Sequence, residues 1–308
     1  ATLQIKALLL IIAGLYPVHA ATISADNEYW KVELIAERHC STCPSQVSRT
    51  FRYHRIGSTN HKEFTLANES KRVVSVRLHK STAIILGELT QSGSIVTTFN
   101  LETGNPADTI FGFHPTLSPN GRFLAYKRFA PRFQDEGPTG DVILLYDLEI
   151  ATSANRVPSQ QSIKSPESTG IPIFPRANAL GQTVDPLPTH PAYLVHPPIA
   201  WSKEGKFIGF IAEPASPLEA MDNRYSPKEI IVVAIQLPTE GRQTKVYLRH
   251  HRPADLIKPK HQMFLRILAE IESLEIDDSG KIHLRPRKGS VIREGLGWNM
   301  TAESDEQY

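Results

Sequence analysis

Cys40-Ser41-Thr42-Cys43 holds both cysteines of the 308-residue chain. A C-x-x-C pair can close a local disulfide, exchange electrons, or supply two ligands to a metal. Thioredoxin-type exchange needs its first thiol at a helix N-terminus after a strand, and no βαβ pattern surrounds this pair. Covalent haem attachment needs His directly after the second cysteine, where Pro44 stands. Zinc needs two more ligands, and His39, His54 and His61 lie nearby without a standard spacing. A local disulfide between Cys40 and Cys43 is the expectation, with metal binding and redox chemistry as the alternatives.

The other reactive side chains are scattered. Twelve histidines include His114, His190, His196 and the pair His250-His251. Several precede proline or lie in loops, where an isolated His is ordinarily structural. No G-x-S-x-G elbow, H-E-x-x-H pair, Walker A loop or dinucleotide glycine motif occurs. Asp277-Asp278-Ser279-Gly280 resembles the start of a calcium loop but lacks the later ligands, so it reads as a hairpin turn. Asp135, Glu136 and Asp141 flank Gly137 and Gly140 in a loop and read as solvated acids. The expectation is therefore no catalytic residue, no cofactor and no metal, with a non-catalytic role preferred and an enzymatic one left open. The formal net charge of +2 sets up no strong field for nucleic acid. The basic stretches 245–252 and 281–288 then read as solvated strand faces.

The N-terminus has the form of an export signal. Lys6 precedes the apolar run 7–15, and Val18 and Ala20 are small residues placed for cleavage between Ala20 and Ala21. The run is shorter than the ~20 apolar residues of a membrane span. A periplasmic or secreted product without a membrane span is expected, and an oxidising compartment favours the disulfide.

What must position any site is a set of strands. Prolines (23) outnumber glycines (18), which favours turns over long helices. In 116–148 (TLSPNGRFLAYKRFAPRFQDEGPTGDVILLYDL) the order is strand, tight turn, strand, long loop, strand. The turn Ser118-Pro119-Asn120-Gly121 supplies residues that tolerate positive φ. The pattern recurs. Residues 77–86 overlay 117–126 at an offset of about 40 residues, the length of a propeller blade. Residues 199–210 repeat the same stretch with Ser202 and Gly205 in the turn, and 229–237 match 141–149. Gly280 closes a similar turn in 274–284. Strands are also expected at 30–37, 49–56 and 244–250. Residues 60–69 read as a loop, 102–106 as breakers that close a unit, and 262–271 as a short helix or a buried strand. Residues 155–197 read as a proline-rich insertion with too little strand potential for a blade, and 301–308 as a disordered tail.

Leu117-Ser118-Pro119-Asn120-Gly121-Arg122-Phe123-Leu124-Ala125-Tyr126, followed by 142–148, resembles the WD40-like repeat of TolB-type propellers. Asn120 stands where that repeat carries Asp, and Lys203 replaces Pro119 in the second copy. The resemblance implies an all-β fold, an irregular β-propeller of about 5–6 blades of antiparallel strands, usually exported and used as a docking scaffold. Residues 21–300 are expected to form that single domain. The long loops after the hairpins supply a candidate binding rim: Arg132, Asp135 and Glu136 in one, Glu219, Asp222 and Arg224 in the other. The expected product is a monomeric scaffold for a protein, peptide or envelope glycan. A propeller-based hydrolase or lyase is one alternative, and a metal- or redox-linked protein using Cys40 and Cys43 is the other.

Overall fold

The computed structural model describes residues 23–39, 46–68, 70–89, 93–130, 140–149, 170–175, 193–214, 229–238, 244–258 and 270–307. Four antiparallel sheets follow one another along the chain. The first contains β1 (Ser24–Asp26), β2 (Trp30–His39), β3 (Val47–Arg55) and β4 (Lys62–Asn68) in sequence order. The second has seven strands: β5 (Arg72–His79), β6 (Thr82–Glu88), β7 (Gly93–Asn100), β8 (Asn105–Leu117), β9 (Phe123–Ala130), β10 (Gly140–Asp147) and β11 (Ile171–Phe174). The third contains β12 (Tyr193–Trp201), β13 (Phe207–Pro214), β14 (Ile230–Gln236) and β15 (Lys245–His251). After the short helix α1 (Pro253–Leu256) come β16 (Ile271–Ile276), β17 (Lys281–Pro286) and β18 (Gly297–Asn299). The short helix α2 (Met300–Glu303) then leads to β19 (Glu306–Gln307), which pairs with β15.

The seven-stranded sheet is two repeat units joined by one long strand. The first part of β8 pairs with β7, and its last residues pair with β9. The changeover lies between Phe113 and Thr116, where the register shifts. His114 there takes φ 50°, a left-handed value uncommon outside glycine that turns the strand from one unit into the next. Five units result: β1–β4, β5 to early β8, late β8–β11, β12–β15 and β16–β18.

Side-chain alternation along each strand builds the seams between units. In the third unit Leu124, Tyr126, Val142 and Leu144 pack toward the second, while Ala125, Ile143 and Leu145 pack toward the fourth. In the fourth, Ile208, Phe210 and Ala212 face back and Phe207 and Ile211 face forward to the fifth. Trp30, Val32, Phe51 and Tyr53 of the first unit meet Val76, Ile85 and Phe99 of the second. Successive sheets packed face to face make an irregular β-propeller.

Several details depart from the sequence reading. Residues 62–68, expected as loop, form β4, an edge strand that buries only Phe64 fully. Residues 105–106, expected as breakers, open β8. The proline-rich stretch contributes β11, and β12 begins within it. Pro172 is tolerated because β11 lies at the sheet edge, where a missing N–H costs no ladder bond. The tail is tied down as α2 and β19, with the Asp305 N–H donating to Leu248 O at 2.8 Å. Among the described residues no helix is long and apolar enough to cross a membrane.

Candidate ligand cleft

The turns between the first two strands of the third, fourth and fifth units are built alike. The Gly121 N–H donates to Ser118 O, the Gly205 N–H to Ser202 O, and the Gly280 N–H to Asp277 O, at 2.8, 2.9 and 3.1 Å. The three glycines have φ of +73°, +72° and +84°, which only glycine adopts without strain. Ser118 Oγ accepts from the Phe123 N–H at 2.9 Å, and Ser202 Oγ accepts from the Phe207 N–H at 3.0 Å. Both serines are buried. Pro119 and Asn120 complete the first of these turns, and Asn120 Oδ1 accepts from Ser118 Oγ at 2.7 Å.

These turns touch one another in chain order. Asn27 Nδ2 donates to Lys80 O at 2.8 Å. His79 Nδ1 lies 3.1 Å from Asn120 O, and a carbonyl can only accept, so Nδ1 carries the proton. A Cβ added to Gly205 would sit 3.6 Å from Asn120 Nδ2. The Glu204 N–H donates to Asp278 Oδ1 at 2.9 Å. One face of the molecule is therefore a chain of linked turns.

Beneath that chain the seams differ. Between the third and fourth units, Asp141 is buried and its Oδ2 accepts from Lys127 Nζ at 3.0 Å and from the Val195 N–H at 2.7 Å. Lys127 also reaches Val195 O at 3.2 Å, and Trp201 Nε1 donates to Thr116 O at 3.3 Å. Phe174 fills the gap against Tyr193 and Phe210, ring centroids 5.1 Å apart in each case. Burial, then the Lys127 charge, pushes the His114 imidazole below its ordinary value, with Asp141 partly opposing. Burial pushes the Tyr193 phenol up, helped by Glu306 and Glu229.

Between the second and third units β5 and late β8 form opposite walls of an open cleft of about 510 Å³. Ile84, Val96 and Leu124 are its buried floor, Leu78, Leu86 and Leu117 its flanks, and Ser75, Thr116 and Arg77 its polar groups. Arg77 is exposed and has no ion pair or hydrogen bond among the described residues. Among the described residues no carboxylate lines the cleft. A volume of this size suits a small ligand or one to two residues of a peptide.

The histidines expected to be structural are in part paired. His196 lies 2.8 Å from buried Glu213, and His250 lies 2.8 Å from Glu229. His251 stacks on Trp298 and its pKa is lowered, first by burial. Arg49, a residue with no sequence signal, is buried and fully engaged by Glu37, Asn68 and Ser70. Among the described residues no three His, Cys, Asp or Glu side chains gather as a metal site. The pairs Ala20–Ala21 and Cys40–Cys43, the rim residues Arg132, Asp135, Glu136, Glu219, Asp222 and Arg224, and His190 lie outside the described residues. The strand ends flanking the two rim loops, Ala130 with Gly140 and Pro214 with Ile230, stand at equivalent places in the third and fourth units.

No family model and no curated protein matches this chain. Solved structures align with it at low identity. Hydrazine synthase of Kuenenia stuttgartiensis aligns at 8% identity and TM-score 0.27, covering 68% of this chain and 63% of that one. The β-propeller domain of the trilobed protease of Pyrococcus furiosus aligns at 7% identity and TM-score 0.29, covering 92% and 98%. TolB of Acinetobacter baumannii aligns at 12% identity and TM-score 0.31, covering 89% of this chain and 51% of TolB. The chain thus spans less than two thirds of hydrazine synthase and about half of TolB. The propeller assignment rests on the sheet order and the four packed seams.

Proposed function

We infer that this chain is an exported, non-catalytic propeller scaffold that binds a protein, peptide or glycan partner of the cell envelope. The observation that carries this reading is the cleft between the second and third units. It has a preformed apolar floor and a polar mouth, and it opens where the neighbouring seam is closed. The sequence's apolar leader supports export, and the two rim loops add a second surface for the same partner. The test is cross-linking capture from envelope extract. Leu86→Trp, which fills the cleft, is expected to lose the partner that the unmodified protein captures. Undiminished capture by this variant, with loss on joint alanine replacement of the six rim residues, would move the partner to the loops.

One observation favours a second reading, a propeller-based hydrolase or lyase. His114, Lys127 and Asp141 converge at the seam between the third and fourth units. Turnover of a peptide or polysaccharide by the purified protein, abolished in His114→Asn, would establish it.

A further inference from the structure

We propose that the cleft between the second and third units recognises a peptide C-terminus, with Arg77 holding the terminal carboxylate and the apolar floor taking the last side chain. This rests on the scaffold reading above. Charge complementarity identifies the anion: among the described residues Arg77 is the only charged side chain lining the cleft. A guanidinium left without a partner beside an apolar floor matches a carboxylate in a bidentate fork. The strand beside it identifies the peptide. β5 is the terminal strand of its seven-stranded sheet, so the backbone groups on its outer side have no ladder partner. An extended peptide can pair with those groups while its carboxylate reaches Arg77. Ile84, Val96 and Leu124 lie within the same recess to receive an apolar terminal residue.

The experiment uses N-acetyl-Ala-Leu as the free acid, the same peptide as its C-terminal amide, and octanoate, each titrated calorimetrically against the purified protein. The acid is expected to bind at least about tenfold tighter than the amide, as a charge-assisted pair requires. Arg77→Gln should bring the acid down to the level of the amide. Arg77→Lys should restore part of the difference, because a point charge lacks the fork. Arg77 makes no internal bond among the described residues, so an unchanged thermal melt is expected for both variants. Equal binding of acid and amide, an unchanged ratio in Arg77→Gln, or no binding of either peptide overturns the proposal. Octanoate binding without the peptide acid also overturns it, in favour of a free fatty acid. Loss of partner capture in Leu86→Trp together with indifference to the carboxylate would leave the scaffold reading standing and remove only this assignment.

Discussion

Two adjacent seams of one propeller are built on opposite plans. The seam between the third and fourth units is closed by a buried carboxylate that grips both a lysine and a backbone N–H of the next unit. Three aromatic rings plug what remains. The seam between the second and third units has aliphatic packing with Tyr126 and Tyr146 below, the Tyr146 hydroxyl donating to Asp108, and turn contacts above, with a cleft in between. Both use the same alternating strands and the same kind of turn. The difference lies in a few polar and aromatic side chains, so a seam can be converted from structural to receptive without altering the blade.

The largest effect should come from breaking the closed seam. Asp141→Ala removes one partner of a buried pair and leaves Lys127 and the Val195 N–H without it. A loss of about 3 kcal/mol is expected in urea unfolding. The double variant Asp141→Leu with Lys127→Met should recover much of that, because no buried charge remains uncompensated. A loss below about 1 kcal/mol for Asp141→Ala would mean that the pair does not clamp the seam.

Truncations rank next and separate the seams by their ability to relax. Phe210→Ala opens a hole in the packed seam, with an expected cost of about 4 kcal/mol. Leu124→Ala only deepens a cavity that already meets solvent, and about 2 kcal/mol is expected. Filling gives the reverse contrast. Leu86→Trp enters open space and should cost under about 1 kcal/mol, whereas Ala212→Leu overpacks a fully buried site and should cost roughly 1–3 kcal/mol. Thermal unfolding of the four variants reads both orders. Equal costs across the two seams would contradict the described opening.

The same contrast explains what was legible in the sequence. Strands of the interior units are apolar on both faces, as in β13 and β14, and the turns of the third and fourth units carry Gly121 and Gly205 at the position of positive φ. Both features are local and visible. The end units alternate instead. Beside buried Phe51 and Tyr53, β3 turns Arg52 and His54 outward, and Arg52 pairs with Glu63 of β4 at 3.2 Å. Beside buried Ile282 and Leu284, β17 turns out His283 and Arg285, and Arg285 pairs with Glu275 at 2.9 Å. Polar outer faces are what the end repeats of a stacked array need. Strands β4 and β11 and the first part of β8 escaped notice because proline or polar residues sit where an edge or a register shift removes the need for a ladder bond. Pro106 lies at the start of β8 and Pro115 at its changeover. The Asp141 clamp and the cleft join residues far apart in sequence, and no local pattern announces such pairings.

Acid should separate the two seams by the smallest margin. Glu149 spans the open seam, with Lys80 Nζ at 2.5 Å, Arg122 Nε at 3.4 Å and His79 Nε2 at 3.6 Å. The Lys80 hydrogen bond, with the Arg122, Lys80 and His79 charges, holds its carboxyl below the usual range against the opposing effect of burial. A depressed value stabilises the folded state above the unfolded carboxyl's pKa of about 4.3, and that contribution fades as pH falls through the folded value. His114, at the closed seam, is also depressed. Its contribution is complete above about pH 6.5 and fades as pH falls through its lower folded value. Urea midpoints should therefore decline in two stages, the first from His114 with His54 and His251, the second from Glu149 with Asp255 and Asp277. His114→Asn, which tolerates the positive φ, should shrink the first stage and leave the second. Glu149→Gln should do the opposite, by less than either substitution discussed above because the pair is partly solvated. A single decline unaffected by both variants would show that neither group couples its seam to pH.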